Sequence, residues 1–473
     1  MKTNFFTIML VILSFTGLYS QNSTLTLGQN GVYYIDDSLH TNLFNVNSVN
    51  GQVHILNSLR LETTINNSIG VIFKGTDRFI HDYTAPNKDG FNTFIGINSG
   101  NFTIGGGSFG SINASGNTAV GYSTLSLLTS GFENSAFGKF ALKNNTTGYR
   151  NAAFGVLALE KNTTTNDNSA FGNSALRDNA GEQNSAFGAG ALLFNTTGNY
   201  NSAFGYSTLV SNTVGQSNSA FGWYALLNNA SNRNSAFGTM TLQENTSGSL
   251  NAAFGSNALD HNVDGSQNSA FGTDAGTGIT TGHNNTVIGY NAQVPSATSN
   301  NQVRIGNADI TYAGIQVAWT ITSDKKWKEN IIESNLGLDF ISKLNPVSYT
   351  RKNDETGKNE YGFIAQEIEE TLNSLEISDA GIINVTDAGD YEMRYNDLFA
   401  PIVKAIQDLK KENDELKETN QNFQVVNDKL QSDTKELKAE LSSVKELQNL
   451  LLTEIEKMKL NNMEVAQVVL EKK

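Results

Sequence analysis

The pentapeptide NSAFG at Asn134–Gly138 decides the fold, because it recurs at a nearly fixed interval through the middle of the chain. Further copies of NSAFG begin at Asn168, Asn184, Asn201, Asn218, Asn234 and Asn268, and NAAFG begins at Asn151 and Asn251. NTAVG at Asn117 and NTVIG at Asn285 are degenerate copies. The closing glycines, from Gly105 to Gly306, lie 16 or 17 residues apart. A helical-pair repeat needs about 33 residues, so this period predicts the short rungs of a β-solenoid.

Side-chain alternation predicts how each rung is arranged. The residue before each closing glycine is large and apolar, as at Phe137, and is predicted to point into the solenoid. The residue two before the glycine, which is Arg304 in the last copy, is predicted to point outward. A second strand is predicted to follow, with an inward leucine four residues after the glycine, as at Leu142. Turns such as NTTG at 145–148 close the rung, since Asn and Gly tolerate left-handed backbone angles.

The predicted rung has a thin core, because it contains one phenylalanine and one leucine. Solenoids also need covered ends. Both considerations favour an oligomer whose chains share apolar surface. Residues 21–90, which include the strand-like stretches 31–35 and 69–83, are predicted to form an N-terminal β cap or tip before the repeat tract at 91–310.

The repeats also carry a family resemblance. NSAFG and NTVIG at this spacing resemble the left-handed β-roll heads of trimeric autotransporter adhesins. The resemblance implies a left-handed β-roll that is trimeric and serves as a scaffold or an adhesin. The chain differs from the usual repeat of those heads in its phenylalanine before the glycine and in its slightly longer rung.

Charge divides the chain into two parts. Residues 101–300 contain 15 charged side chains, whereas residues 323–473 contain 50. This change predicts a domain boundary in the low 300s. The formal net charge of −14 argues against a nucleic-acid partner, because proteins that bind nucleic acids present a basic surface.

Three sequence blocks follow this boundary in order: TSDKKWKENI at 322–331, LNPVSY at 344–349 and GFIAQE at 362–367. Together they resemble the C-terminal intramolecular chaperone domain of phage tailspikes and endosialidases. The resemblance implies a small α+β domain, placed here at 311–400, that trimerises the chain, assists its folding and then releases itself by cleavage.

The same resemblance assigns roles to single residues. It implies that Ser323 and Lys328 form a catalytic dyad that cuts the bond between Thr322 and Ser323. It gives supporting roles to four further residues, which are Asp324, Lys326, Gln366 and Glu367. Lys326 stands where the family usually has arginine, which keeps the charge but loses the bidentate geometry.

Self-cleavage needs a base, since a serine hydroxyl is a weak nucleophile until its proton is removed. A lysine serves as that base only where burial or a nearby cation favours its neutral amine. Attack by Ser323 on the carbonyl of Thr322 would form an ester that water then opens, in a single turnover within one chain. The other interpretation of this stretch is a solvated linker without chemistry.

Apolar residues seven apart predict a coiled coil at 401–460, followed by a tail at 461–473. They are Ile402, Leu409, Leu416, Phe423, Leu430, Leu437, Val444, Leu451 and Met458. The intervening a positions are largely polar, including Asn413, Asn420 and Asn427, and such layers select register and oligomer state. The pattern does not fix the number of strands, and the two resemblances favour three. The alternative is one amphipathic helix that folds back on the body.

The N-terminal residues 1–20 have the features of a secretory signal peptide, because Lys2 precedes the apolar stretch FFTIMLVIL at 5–13. We therefore expect a secreted or cell-surface protein with no integral membrane segment after signal removal. The chain has no cysteine, so disulfides do not stabilise it. Its five histidines lack metal-ligand spacing, and no metal or cofactor is expected.

These parts combine into one hypothesis: a mainly β, homotrimeric fibre or adhesin-like protein with a self-cleaving chaperone and a C-terminal coiled coil. Any enzymatic activity would be at most that of a single-turnover serine endopeptidase. One alternative is the same fibre with its C-terminal stalk retained. Another is an enzyme head acting on surface glycan, which would need paired carboxylates. An unidentified receptor or glycan is considered as the external partner.

Overall fold

The computed structural model describes the strand backbones at 24–27, 32–36, 42–47 and 53–55, and then residues 61, 63–67, 69–105, 110–378 and 381–470. The predicted signal peptide at 1–20 lies outside the described residues. The chain divides into two units, Met1–Asn307 and Ala308–Lys473, which are described separately below.

The first unit begins with an antiparallel sheet in the order β1-β2-β3-β4, formed by Thr24–Leu27, Val32–Asp36, Asn42–Asn47 and Val53–Ile55. A hairpin of β5 (Ile72–Lys74) and β6 (Asp77–His81) follows. β6 pairs antiparallel with β7 (Thr93–Ile95), and β7 is the first strand of a parallel stack. The hairpin therefore lies at one end of that stack, and the cap predicted for residues 21–90 stays a prediction.

The parallel stack is a β-solenoid with one three-residue strand in each rung. Its further strands are β8 (Thr118–Val120), β9 (Ser135–Phe137), β10 (Ala152–Phe154), β11 (Ser169–Phe171), β12 (Ser185–Phe187), β13 (Ser202–Phe204), β14 (Ser219–Phe221), β15 (Ser235–Phe237), β16 (Ala252–Phe254), β17 (Ser269–Phe271), β18 (Thr286–Ile288) and β19 (Val303–Ile305). Residues 118–305 make about 11 turns, with equivalent residues in register. The predicted solenoid of 16- and 17-residue rungs is confirmed, while its left-handed sense and trimeric state stay predictions.

From β8 to β17 the inward residue of the strand is alanine, so the prediction that phenylalanine points inward is wrong by one position. Ala136 has no exposed surface, whereas Phe137 is 36% exposed. The available volume determines which residues of the strand point inward, because Leu142 of the same rung is fully buried and already fills the narrow interior. Only a small side chain fits opposite it. Arg304 accordingly occupies the inward phase of the last strand and is partly buried, against the outward prediction.

The predicted second strand is also absent from the described rungs, although its leucine is buried as expected. The residues after each glycine form consecutive turns, with left-handed backbone angles at Phe140 (φ 63°) and Leu142 (φ 49°). Hydrogen bonds between rungs hold this conformation, since Leu142 N–H donates to the carbonyl of Ala158 at 3.0 Å. Alternating left-handed residues bend the chain tightly enough to close a rung within 17 residues.

Two asparagine ladders run through the interior. In the first, each side-chain oxygen accepts a hydrogen bond from the backbone N–H of the residue one rung further on, and from Asn117 to Asn201 it also accepts one from the side-chain amide of that residue. Its members are Asn117, Asn134, Asn151, Asn168, Asn184, Asn201, Asn218, Asn234, Asn251, Asn268 and Asn285, and each is at most 1% exposed. The second ladder contains Asn145, Asn162, Asn179, Asn195, Asn212, Asn229, Asn245 and Asn262, which lie beside the turns. The invariable asparagines therefore satisfy buried polar backbone that the short strands leave unpaired.

From Gly121 to Gly272, the closing glycine of a rung is required by a close approach of two backbones. Gly222 has φ +141°, and a Cβ placed there would lie 2.2 Å from the carbonyl oxygen of Gly238. No other residue fits this combination of angle and contact. The regular glycine spacing is thus a direct consequence of rungs stacked about one strand spacing apart.

The phenylalanines form a ladder on the outer face of the sheet. From Phe137 to Phe271, neighbouring ring centroids are 4.5 to 5.1 Å apart, and the planes of adjacent rings differ by at most 9°. The rings are half-buried by one another and by the sheet, and one edge of the ladder remains exposed in the single chain. The strands β9 to β17 carry no charged residue, so this face is uncharged along its length.

The second unit contains two small antiparallel hairpins and three α-helices. β20 (Val347–Tyr349) pairs with β21 (Glu360–Gly362), and β22 (Ile383–Val385) pairs with β23 (Tyr391–Met393). The helices are α1 (Leu338–Ile341), α2 (Ala365–Ser374) and α3 (Phe399–Leu470), and short 3-10 helices span Lys325–Trp327 and Tyr395–Leu398. Phe340, Ile368, Leu372, Ile382 and Leu398 form a small core.

Helix α3 has 72 residues and continues through the region predicted as a coiled coil. Its apolar heptad residues are exposed in the single chain, for example Leu416 at 62% and Leu437 at 68%. From residue 409 to residue 470 every described side chain of α3 is exposed in the single chain. The pairing of this helix in a coiled coil stays a prediction. Within the part of the chain that the structure describes, no helix combines the length and apolarity needed to cross a membrane.

Candidate functional site

One tight turn brings the predicted dyad together. Asp324 caps the 3-10 helix Lys325–Trp327, because its Oδ1 accepts a hydrogen bond from the backbone N–H of Lys326 at 3.0 Å. Lys328 N–H donates to the carbonyl of Lys325 at 3.0 Å and closes the turn. Ser323 and Lys328 therefore lie at the two ends of a single helical turn, which a spacing of five residues allows.

The side chains of the dyad are in direct contact. Lys328 Nζ donates a hydrogen bond to Ser323 Oγ across 2.7 Å. A neutral amine at the same distance could instead accept the hydroxyl proton, which is the geometry that a general base requires. The sequence prediction named both residues, and the structure brings them together.

Asp324 and Lys326 shape the turn from its outer side. Lys326 Nζ lies 3.2 Å from Asp324 Oδ2, and the hydrogen bonds from Lys326 lower the pKa of the Asp324 carboxyl below its usual value. Both side chains are mostly exposed, so the ion pair contributes little stability by itself. Its effect is to hold the carboxylate as the cap of the turn between Ser323 and Lys328.

Gln366 and Glu367 lie on α2 and are not joined to the dyad by a hydrogen bond or ion pair among the described residues. Glu367 Oε2 accepts a hydrogen bond from Asn345 Nδ2 at 3.2 Å, and Gln366 is exposed. Their supporting role in cleavage therefore stays a prediction.

The sequence did not predict a groove beside α2. Its volume is about 310 Å³, and its lining includes Leu344, Phe363, Ile364 and Glu367. These residues belong to the second and third sequence blocks, so the blocks that carry the family resemblance also form one surface of the small domain.

The dyad is open to water in the single chain. Every described residue from 311 to 335 is exposed, including Ser323 and Lys328. A lysine side chain in water is a protonated ammonium and cannot act as a base. Where neighbouring groups exclude the solvent, the neutral amine is favoured and can accept a proton. The arrangement thus has the contacts of a cleavage site but not yet the burial that such a site needs. No cluster of His, Cys, Asp and Glu side chains that could hold a metal ion occurs among the described residues.

Comparison with known proteins identifies the segment that contains this turn. Residues 323–375 match the protein family described as Chaperone of endosialidase. The match begins at Ser323, immediately after the candidate cleavage bond, and it includes the groove beside α2. It confirms the family resemblance for this segment. No curated protein and no solved structure matches the chain.

Proposed function

We propose that this chain is a secreted, homotrimeric fibre protein whose C-terminal part aligns three copies, supports in-register folding of the solenoid and then cuts itself free. The cleaved bond is the one between Thr322 and Ser323. The observation that carries the proposal is the 2.7 Å contact between Lys328 Nζ and Ser323 Oγ, inside the segment that matches the endosialidase chaperone family.

A repetitive solenoid has a physical need for such a chaperone. In register, Phe204 stacks on Phe221 and Ala203 pairs with Ala220. A shift by one rung between neighbouring copies would bring nearly identical residues together and would bury almost the same surface. Misaligned assemblies would therefore differ little in free energy from the correct one, and a clamp at one end removes that ambiguity.

Helix α3 supplies a surface that supports assembly. Its heptad stripe leaves apolar side chains such as Leu409 and Leu430 more than half exposed in the single chain. Burying such a stripe against equivalent helices is the usual way in which heptad sequences are stabilised. The polar a positions, which include Asn420, favour one register among the copies.

The proposed cleavage is an acyl shift followed by hydrolysis. Ser323 Oγ attacks the carbonyl carbon of Thr322 while Lys328 Nζ takes the hydroxyl proton. The C–N bond between Thr322 and Ser323 breaks, and the proton passes from Lys328 to the departing α-amine of Ser323. The product is an ester between the carbonyl of Thr322 and Ser323 Oγ. Water then attacks the ester with Lys328 again as base, giving a carboxylate at Thr322 and restoring the serine hydroxyl.

The exposure of the dyad supports a link between cleavage and assembly. Ser323 and Lys328 are solvated in one chain, so the lysine would act as a base only after other copies exclude water from the turn. Cutting would then follow assembly, and a chain that had not yet found its partners would keep its chaperone. The expected export to the cell exterior is part of the same proposal and rests on the signal-like residues 1–20.

Electrophoresis of the purified full-length chain, with N-terminal sequencing of any fragment, tests this function. We expect a C-terminal fragment that begins at Ser323, and we expect Ser323→Ala and Lys328→Ala to remain intact. Ser334→Ala is the matched control, because Ser334 is an exposed serine of the same segment and should be cut like the wild type. A fragment that starts elsewhere, or cleavage of Ser323→Ala, would exclude the dyad. An intact wild-type chain would favour the fibre with a retained stalk.

A further inference from the structure

The stretch immediately before the candidate cleavage bond has a pattern that the function above does not use. Ile315, Val317, Trp319 and Ile321 alternate with small or polar residues, which is the period of a strand with one apolar face. Isoleucine, valine, tryptophan and threonine, which dominate the stretch, all favour strands. Nevertheless, residues 310–322 belong to no strand of the described chain.

The apolar face of this stretch is uncovered in the single chain. Val317 is 77% exposed, Trp319 is 74% exposed and Ile321 is 70% exposed, and Ile315 is also more than half exposed. Four large side chains in such a state amount to several hundred Å² of apolar surface, which monomeric proteins rarely leave in one patch. The surface therefore requires a covering partner.

Two features favour other copies of the same stretch as that partner. No charged residue occurs between Ile310 and Ser323, so nothing repels identical segments that meet side by side. The same unit of the chain also contains α3, whose exposed heptad stripe is proposed above to pack against copies of itself. Assembly along α3 would bring the copies of the uncharged stretch to a common axis, where unpaired strand backbones pair readily.

We propose that residues 310–322 of three chains pack together as strands and form a clasp, with Val317, Trp319 and Ile321 facing the other copies. The inference rests on the proposed assembly of three chains. Because the clasp lies on the N-terminal side of the bond between Thr322 and Ser323, it stays with the solenoid after cleavage. It thus holds the three chains of the fibre together at the end from which the chaperone and α3 have departed.

Fluorescence of Trp319 tests the clasp directly. The chain has three tryptophans, so the variant Trp223→Phe/Trp327→Phe leaves Trp319 as the only one. Acrylamide quenching of this variant is measured on particles whose mass is determined by light scattering. We expect quenching several-fold weaker than in the same protein unfolded in guanidinium, whether or not the chain has been cut.

The outcomes separate the clasp from the proposed function. A particle of three chains whose Trp319 is quenched as in the unfolded protein overturns the clasp and leaves the assembly intact. A particle of one chain overturns both. Shielding of Trp319 within a single-chain particle would show that the stretch packs on its own chain, and would also overturn the clasp.

A pair of variants provides a second readout. Val317→Thr/Trp319→Thr keeps the strand-forming character but removes the apolar face, whereas Ala318→Thr changes the opposite face. We expect the first variant to dissociate at a several-fold higher protein concentration than the wild type, measured on the N-terminal product if the chain is cut and on the full chain otherwise. The Ala318→Thr variant should behave as the wild type. Equal dissociation of the two variants would contradict the clasp.

Discussion

Replacing Asn201 by alanine should destabilise the solenoid far more than the size of the change suggests. Asn201 has no exposed surface and lies in the middle of the first asparagine ladder. Its Nδ2 donates to Asn184 Oδ1 at 3.2 Å and to the carbonyl of Gly215 at 2.8 Å. Its Oδ1 accepts from the backbone N–H of Asn218 at 3.0 Å and from the Nδ2 of Asn218 at 3.1 Å.

The loss of unfolding free energy depends on which hydrogen-bonding groups still have a partner after Asn201 is replaced by alanine. The carbonyl of Gly215 keeps the hydrogen bond from Asn212 at 2.9 Å, and Asn218 Nδ2 still donates to the carbonyl of Ser231 at 2.8 Å. The backbone N–H of Asn218 loses its acceptor inside a dry interior, which costs about 1–3 kcal/mol. Adding about 1 kcal/mol for each of the two donated hydrogen bonds gives a total loss of about 3–5 kcal/mol.

Guanidinium unfolding followed by circular dichroism at a fixed protein concentration measures this loss. Ser202→Ala is the matched control, because it alters the neighbouring outward residue to the alanine that the chain itself has at 152 and 252. We expect Ser202→Ala to change the free energy of unfolding by less than about 0.5 kcal/mol. If Asn201→Ala matched this control, the ladder would not stabilise the fold. Should Asn201→Ala fail to fold, Asn285→Ala near the end of the ladder offers a milder test.

Three other predictions concern the packing of the rungs and the cap. Leu192→Ala should lower the free energy of unfolding by about 3–5 kcal/mol because the side chain is fully buried. Phe204→Ala should lower it by only about 1–3 kcal/mol, because this ring loses two stacked contacts on the outer face. Denaturant midpoints that reverse this order would refute the assignment of alanine to the inward position. Gly222→Ala should prevent assembly of its rung, seen as lost protection in hydrogen exchange, because the new Cβ would meet the carbonyl oxygen of Gly238; normal protection would contradict the backbone contact. Burial lowers the pKa of His81 from 6.5 to about 4. Between pH 6.5 and pH 4, His81 therefore takes up a proton in the unfolded chain but not in the folded chain. The free energy of unfolding should therefore fall by up to about 3 kcal/mol as the pH drops from 7 to 4. If the unfolding free energy of a His81→Gln variant depended on pH as steeply as that of the wild type, this prediction would be refuted.

The period of the repeats could be predicted from the sequence because it depends on single residues with strict requirements. A glycine such as Gly222 has both a left-handed angle and a backbone neighbour, so its spacing directly gives the length of a rung. The buried leucines, for example Leu142, were also predicted correctly, since they recur as large apolar residues at one fixed position of the repeat.

The phase of the strand could not be predicted from hydrophobicity alone. Alternation indicates only that neighbouring residues face opposite sides, and both Ala136 and Phe137 are apolar. Hydrophobicity favours phenylalanine inside, but the volume left by the leucine of the same rung admits only alanine. The nearly constant small residue two before each glycine was the available signal, because an outward position does not require constant size.

The turns after each glycine were misassigned for a different reason. Leucine rarely adopts a left-handed backbone angle, so no propensity rule predicts φ near +50° at Leu142 or Leu159. Hydrogen bonds between stacked rungs impose the angle, and they exist only in the folded stack. At the candidate site, by contrast, the dyad lies within six consecutive residues, so local geometry sufficed to bring Ser323 and Lys328 together.

The number of chains in the particle tests the account most directly. Light scattering of the purified protein on a sizing column should give a mass three times that of one chain, or three times that of the N-terminal product if cleavage has occurred. Each full-length chain contributes 51.1 kDa before any processing. A well-folded particle with the mass of one chain at micromolar concentration would contradict the account, because neither the chaperone nor the clasp would have copies to align.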